Sequence, residues 1–117
     1  MNDVIRLLRS HRSIRKYSER PIDKELFDDI VLAGQAAATS SYIQATTIIR
    51  VTDQKKRKQL AKLAGDQPYV TQAAEYVVVC ADWYRAKQQL VNLGDVDADF
   101  SWTEQFMTAT IDAALFA

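Results

Sequence analysis

The run Tyr76-Val77-Val78-Val79-Cys80-Ala81 constrains the fold more than any other stretch of the chain. Consecutive β-branched residues fit a pleated surface better than a helix, and near-continuous apolar character is the pattern of a strand covered on both faces. The run therefore predicts a central strand over residues 76–81. A second β-branched stretch, Thr46-Thr47-Ile48-Ile49-Arg50-Val51-Thr52, is too short for a helix of ordinary length and reads as another strand. Cys80 lies inside the first run, which makes it a buried strand residue rather than a nucleophile or metal ligand; as the only cysteine it excludes a disulfide within the chain.

The remaining segments carry helical signals. Val4, Leu7 and Leu8 recur at helical spacing ahead of a basic turn. Asp23 is placed to cap a helix over about residues 24–37, with Leu26, Ile30, Ala33 and Ala37 on its inner face, until Thr39-Ser40-Ser41 breaks the pattern. Asp53 is placed to cap a third helix. Its expected wet side carries Lys55, Lys56, Arg57, Lys58 and Lys62, its inner side Leu60, Leu63 and Ala64, and Gly65 suits its stop. A short helical turn follows through Val70, Ala73 and Ala74. Asp82-Trp83-Tyr84-Arg85 opens another helix, residues 92–99 read as an acidic loop, and residues 102–117 read as a last helix. The sum is an α+β chain. At 117 residues it has the size of one domain or part of one.

Lysine plus arginine equals aspartate plus glutamate at 15 each, so no global field draws the chain to nucleic acid or to an anionic membrane. The basic helix around Lys55–Lys62 lacks the interleaved aromatics of a nucleic-acid platform. Asp3 and Arg6 interrupt the apolar residues of the N-terminus, which fits neither a signal peptide nor a membrane span, and the expected location is the cytoplasm. In the last helix Phe106, Ala109, Ala113, Leu115 and Phe116 spread around more than one face, as suits a helix buried between two bodies. A chain cut short within that helix and a naturally frayed terminus both accommodate its end, and truncation is the reading preferred here.

Chemistry concentrates in His11-Arg12-Ser13-Ile14-Arg15, where two fixed cations, an imidazole and a hydroxyl stand together. Arginine forks match phosphate oxygens, so this set suits a phosphate and the polar edge of a ring; an exposed basic turn making surface ion pairs is the competing reading. His11 is the only histidine and has no ligand set at metal spacing, Ser13 has no triad partners, and the glycines Gly34, Gly65 and Gly94 form no phosphate loop.

Taken in order, these segments resemble the FMN-dependent nitroreductase family, specifically its larger, oxygen-insensitive NAD(P)H type. The resemblance rests on His11-Arg12-Ser13-Ile14-Arg15-Lys16-Tyr17, Pro21-Ile22, Ala38-Thr39-Ser40-Ser41-Tyr42-Ile43-Gln44, Ile48-Ile49-Arg50-Val51-Thr52-Asp53, Gly65-Asp66-Gln67, and Gln72-Ala73-Ala74-Glu75-Tyr76 leading to Cys80-Ala81-Asp82. Each piece is weak alone, but their colinearity spans most of the chain. The resemblance implies a nitroreductase-like FMN fold with a mixed sheet surrounded by helices, of which residues 1–117 are the N-terminal part of a single domain. It also implies a homodimer with FMN at the interface, and a ping-pong cycle that passes two electrons from NAD(P)H to nitroaromatics, quinones or flavins.

Residue by residue, the resemblance implies that His11, Arg12 and Ser13 meet the phosphate and ribityl end of FMN, and that Arg15 meets the N1 and C2-carbonyl edge of the ring. A fixed cation at that edge favours the reduced flavin. Ser40 and Ser41 match the stretch that approaches the flavin from the neighbouring subunit. Ser41 and Tyr42 then face the acceptor, Gln67 faces the polar edge of the ring and the acceptor, and Tyr69 flanks the acceptor pocket. A helix-ending polar loop and plain loop residues are the respective alternatives. No protein general acid or base is identified, and no metal is implied. The family's glycine-rich segment, its Lys/Arg phosphate pair and its basic residues for the NADPH phosphate have no counterpart in this sequence. This leaves a noncatalytic FMN- or phosphate-binding fragment, or a dimerisation fragment, as the alternative function. Two strands do not complete the family's sheet, and an open central strand invites pairing with another chain.

Overall fold

A computed structural model describes residues 2–94 and 97–117. Six helices and two strands follow one another in the order α1 (Asp3–Arg9), α2 (Lys24–Gln35), β1 (Thr46–Arg50), α3 (Gln54–Leu63), α4 (Tyr69–Gln72), β2 (Val77–Ala81), α5 (Tyr84–Asn92) and α6 (Thr103–Phe116). A 3-10 turn, Ser40–Tyr42, lies between α2 and β1. The α+β reading is borne out, and the part of the acidic loop at residues 95–96 lies outside the described residues.

The helix starts follow from short polar side chains. Asn2 accepts from the Val4 amide at 2.8 Å, Asp23 from Leu26 at 2.8 Å, and Asp53 from Lys55 at 2.7 Å, each engaging an amide that the helix itself leaves without a partner. Gly65 ends α3 at a φ of 79°, a conformation that a side chain would strain.

β1 and β2 pair antiparallel, with Ile48 opposite Val79 and Thr47 opposite Cys80. Backbone bonds from Val51 to Tyr76 at 2.9 Å and from Asp82 to Ala45 at 2.9 Å continue the pairing beyond both ends. α6 lies against both strands and touches α2, while α3 packs on α4. At Gly34 of α2 a Cβ would stand 2.7 Å from the Phe116 ring, so the missing side chain permits the closest approach of α2 to α6.

The buried apolar residues are few and mostly small: Ala45, Val51, Ala61, Val70 and Ala109. The Cα radius of gyration is 17.3 Å, against about 13 Å for a compact chain of this length. An apolar groove of about 680 Å³ runs between α2, the strands and the end of α6, lined by Phe27, Ile30, Val31, Val79 and Phe116 among others. The described residues thus form a framework with an open interior.

That openness accounts for several departures from the sequence reading. β2, expected to be central and covered on both faces, pairs only with β1 among the described residues and is half-exposed along its length, and Cys80 is half-buried rather than buried. The sheet described is a two-stranded antiparallel ribbon, and the mixed sheet of the full fold is not completed within it. On α2 the more covered residues are Phe27, Val31 and Gly34 rather than the expected Leu26, Ile30 and Ala33, although Ile30 and Ala33 still border the groove and Ala37 is half-buried on the expected face. The coverage is set by what meets the helix: the Phe27 ring lies 4.2 Å from the Arg50 guanidinium, and Phe116 lies over Gly34.

The largest correction concerns α3. Arg57, expected on the wet side, is 3% exposed, whereas Leu63, expected inside, is 84% exposed. Arg57 Nε donates to the Val51 carbonyl at 2.7 Å, and its terminal nitrogens donate to Ala73 at 2.6 Å and Ala74 at 3.4 Å. These carbonyls belong to the segments leaving β1 and entering β2, where the strand ladder has ended. The guanidinium fork supplies the donors, and Ala61, also buried, lies one turn along the same face of the helix.

Arg57→Met should lower unfolding stability by about 2–4 kcal/mol, because it leaves buried carbonyls without donors. Lys56→Met on the exposed face should change it by less than about 0.5 kcal/mol. Urea midpoints of the two variants measured side by side check this, and equal losses would show that Arg57 is an ordinary surface cation.

Candidate functional site

Residues 11–20 leave α1 as exposed chain without regular structure, with Pro21 fixing one backbone angle shortly before α2. In this segment Arg12 folds back, its guanidinium donating to the His11 carbonyl at 2.7 Å, and His11, Arg12 and Leu8 share a shallow depression with Ile14. Ser13 and Arg15 make no protein hydrogen bond among the described residues and present their donors to solvent.

The Ser40–Tyr42 turn is tightly specified. Ser41 has φ 50° and ψ 25°, and Tyr42 and Gln44 also adopt positive φ, at 55° and 54°. Left-handed backbone costs a non-glycine residue about 1–2 kcal/mol, so a turn holding two such residues, with a third just after it, needs external restraint. Restraint comes from both sides. The Ser40 amide donates to Asp112 Oδ1 of α6 at 3.2 Å, and Arg85 of α5 donates to the Gln44 carbonyl at 2.6 Å.

Gln67 follows two consecutive left-handed residues, Gly65 and Asp66, and its amide donates back to Ala61 at 3.1 Å, which fixes the corner between α3 and α4. Tyr69 opens α4 and borders a depression of about 430 Å³ shared with Tyr17, Arg20, Ile22 and Glu75. The fold therefore brings Tyr69 to the chain just after the basic turn. It does not gather His11, Arg12, Ser13, Arg15, Ser40, Ser41, Tyr42, Gln67 and Tyr69 around one cavity. They occupy three separate stretches of surface, of which those around Ser40–Tyr42 and Gln67 are held from behind by other elements.

The residues that hold these stretches were not singled out in the sequence. Asp112 is 3% exposed in the middle of α6, and a lone charge between Ile111 and Ala113 was the available signal. Asp82 accepts from Tyr84 N at 2.8 Å and from the Thr47 hydroxyl, joining the end of β2 to β1 and starting α5. These two hydrogen bonds, the Thr47 bond foremost, hold its carboxyl below the usual aspartate range. Glu75, at the entrance to β2, accepts from Arg50 Nε at 2.8 Å and from Arg50 Nη2; the Arg50 hydrogen bond is the main cause that holds its carboxyl below the usual glutamate range.

The sequence model of the nitroreductase family matches residues 8–117. The FMN reductase (NADPH) of Bacillus subtilis strain 168 is 43% identical over 118 aligned positions, covering all of this chain and 47% of the relative. The NADPH-flavin oxidoreductase of Vibrio harveyi is 44% identical over 117 residues, again with the whole chain and 47% of the relative covered. The solved structure of a B. subtilis nitroreductase superposes with a TM-score of 0.90 at 42% identity, over 96% of this chain and 46% of that one. The chain thus spans about half the length of the relatives it matches.

The Glu75–Arg50 pair carries a pH dependence. A folded-state carboxyl value below the unfolded one adds stability above the unfolded value, near ~4.3 for glutamate, and that stability is lost as pH falls through the lower folded value. Native chain should therefore exceed Glu75→Gln in urea midpoint at neutral pH, and the gap should close in acid. A gap unchanged down to strongly acidic pH would show that the ionised pair contributes nothing.

Proposed function

The chain belongs to the nitroreductase family, and on that premise we propose that it forms part of a single-domain FMN oxidoreductase that passes two electrons from NAD(P)H to a nitroaromatic, quinone or flavin acceptor by a ping-pong cycle. The proposal includes a homodimer acting in the cytoplasm. Two of the relatives named above, the FMN reductase and the flavin oxidoreductase, are NADPH enzymes, which supports NADPH as the donor. No helix among the described residues is long and apolar enough to cross a membrane.

The observation that carries this reading is the pair of unengaged donors, Ser13 and Arg15, on an exposed basic segment whose neighbours His11 and Arg12 add an imidazole and a second guanidinium. That donor set fits an anionic phosphate ester joined to a polar ring edge. FMN, when bound, supplies the two-electron chemistry. The chain supplies placement: His11, Arg12 and Ser13 toward the phosphate and ribityl end, Arg15 toward the N1 and C2-carbonyl edge, and Ser40 and Ser41 toward the flavin of the neighbouring subunit. Ser41, Tyr42, Gln67 and Tyr69 border the acceptor, with Gln67 also facing the ring. Because Arg15 is exposed and bonded to no other protein group among the described residues, its charge is free to favour the reduced flavin.

The dispersal of these residues over separate stretches of surface favours a second reading, a noncatalytic FMN- or phosphate-binding or dimerisation fragment. The two are separated by desalting the chain after incubation with excess FMN, recording its visible spectrum, and adding NADPH without oxygen. Retained flavin that bleaches supports the oxidoreductase. Retained flavin that does not bleach supports the binding fragment, and a colourless chain that remains dimeric supports the dimerisation fragment.

Arg15→Ala should slow flavin reduction by roughly ten- to a hundredfold, the worth of about 1.5–3 kcal/mol for a hydrogen bond to a charged group. Its thermal midpoint should stay that of the native chain. Rapid-mixing absorbance and a melting curve on the same preparation check both, and a parallel loss of stability would remove Arg15 from this role.

A further inference from the structure

Beside the entry to the Ser40–Tyr42 turn lies a small, partly open space of about 60 Å³ bordered by Gly34, Thr39, Gln44, Arg85, Asp112 and Phe116 among others. Two of these carry buried polar atoms with no protein hydrogen-bond partner among the described residues, Asp112 Oδ2 and Thr39 Oγ1. The other Asp112 oxygen receives the Ser40 amide. We propose that Asp112 is the positioning residue of the Ser40–Tyr42 turn, clamping it from α6, and that the adjoining cavity is a water site completing the clamp by joining Asp112 Oδ2 to the Thr39 hydroxyl.

Burying a carboxylate is costly unless its oxygens are hydrogen-bonded, and one backbone amide engages only one of the two. A water needs a polar site with several partners and roughly 10–15 Å³ of room for its centre, a requirement that the cavity exceeds. The water donates to Asp112 Oδ2, and the Thr39 hydroxyl donates to the water. Thr39 immediately precedes Ser40, so both halves of the clamp act on the entry to the turn. Arg85 restrains its exit through Gln44, which leaves the left-handed Ser41 and Tyr42 suspended between the two restraints. A shift in α6 is thereby transmitted to the side chains of Ser41 and Tyr42 through one amide and one water. The clamp itself is independent of the proposed function; its consequence for acceptor binding rests on that reading.

The test compares Asp112→Ala, Asp112→Asn and Thr39→Val in the full chain by site-resolved amide hydrogen exchange, without flavin. Asp112→Ala should speed exchange at Ser40 by roughly tenfold beyond any change common to all amides, the loss of one hydrogen bond to a charged group. Asp112→Asn, which keeps an acceptor oxygen, should restore most of that protection. Should the alanine variant not fold, Thr39→Val carries the test: it removes the water's second partner while leaving the Ser40 bond, and should raise exchange at Ser40 to Gln44 selectively. A crystal structure should show a water within hydrogen-bond distance of both Asp112 Oδ2 and Thr39 Oγ1. Unchanged Ser40 protection in Asp112→Ala, or in Thr39→Val where alanine fails, would overturn the clamp, and a dry cavity would overturn the water site. Where native chain retains flavin, an acceptor KM raised in Asp112→Ala with flavin reduction unchanged extends the clamp to acceptor binding. Flavin reduction slowed in proportion overturns that extension, and failure of native chain to retain flavin counts against the proposed function and leaves the exchange result standing.

Discussion

The framework depends on the buried guanidinium of Arg57. With few and mostly small apolar residues enclosed, apolar burial alone does not fix where β1, α3 and the entrance to β2 lie relative to one another. Arg57 does so by donating to three carbonyls, one from the exit of β1 and two from the approach to β2. A buried cation is tolerated when its hydrogen-bonding capacity is met, and its forked geometry is what makes it a specific joint. Arg50 with Glu75 and Phe27, and Asp82 with Thr47, repeat the device beside α2 and at the far end of the same ribbon.

This arrangement explains how an open framework still presents ordered loops. The corner at Gln67 is tied to Ala61, whose helix is anchored by Arg57, and Tyr69 follows directly from that corner. The Ser40–Tyr42 turn is held by Asp112 and Arg85 from two different helices. The basic segment around Arg15 has no comparable restraint among the described residues; it is bounded by α1 and by the Asp23 cap of α2. Its order therefore depends most on what binds to it. Side chains restrained from behind suit shape recognition, whereas exposed cations on irregular chain suit an anion.

Local features were legible in the sequence because their causes are local. Asp23 and Asp53 cap helices through amides two or three residues away, Gly65 ends α3 by its backbone freedom, and β-branched content marks both strands. Features set by distant partners were not. The face of α2 that is covered most is chosen by Phe116 and Arg50, which lie far along the chain, so the apolar pattern alone does not fix it. Arg57 resembles the lysines around it until the carbonyls it meets are known. Asp112 is a single charge inside an apolar helix, and its partner, the Ser40 amide, lies 72 residues away. The candidate site was legible as segments carried by family resemblance, while the side chains that hold those segments emerged only with the fold.

The central claim of the proposed function is that FMN is met by segments that the framework of one chain holds apart, the Ser40–Ser41 stretch coming from the neighbouring subunit. Hydrogen exchange measured by mass spectrometry with and without saturating FMN tests it directly. The account predicts that FMN protects peptides covering residues 10–17, 39–44 and 65–69 together, with the greatest change in residues 10–17, and leaves α5 unaffected. Protection confined to residues 10–17 would contradict it, because FMN would then be held by a basic turn alone and the restrained loops would serve another purpose.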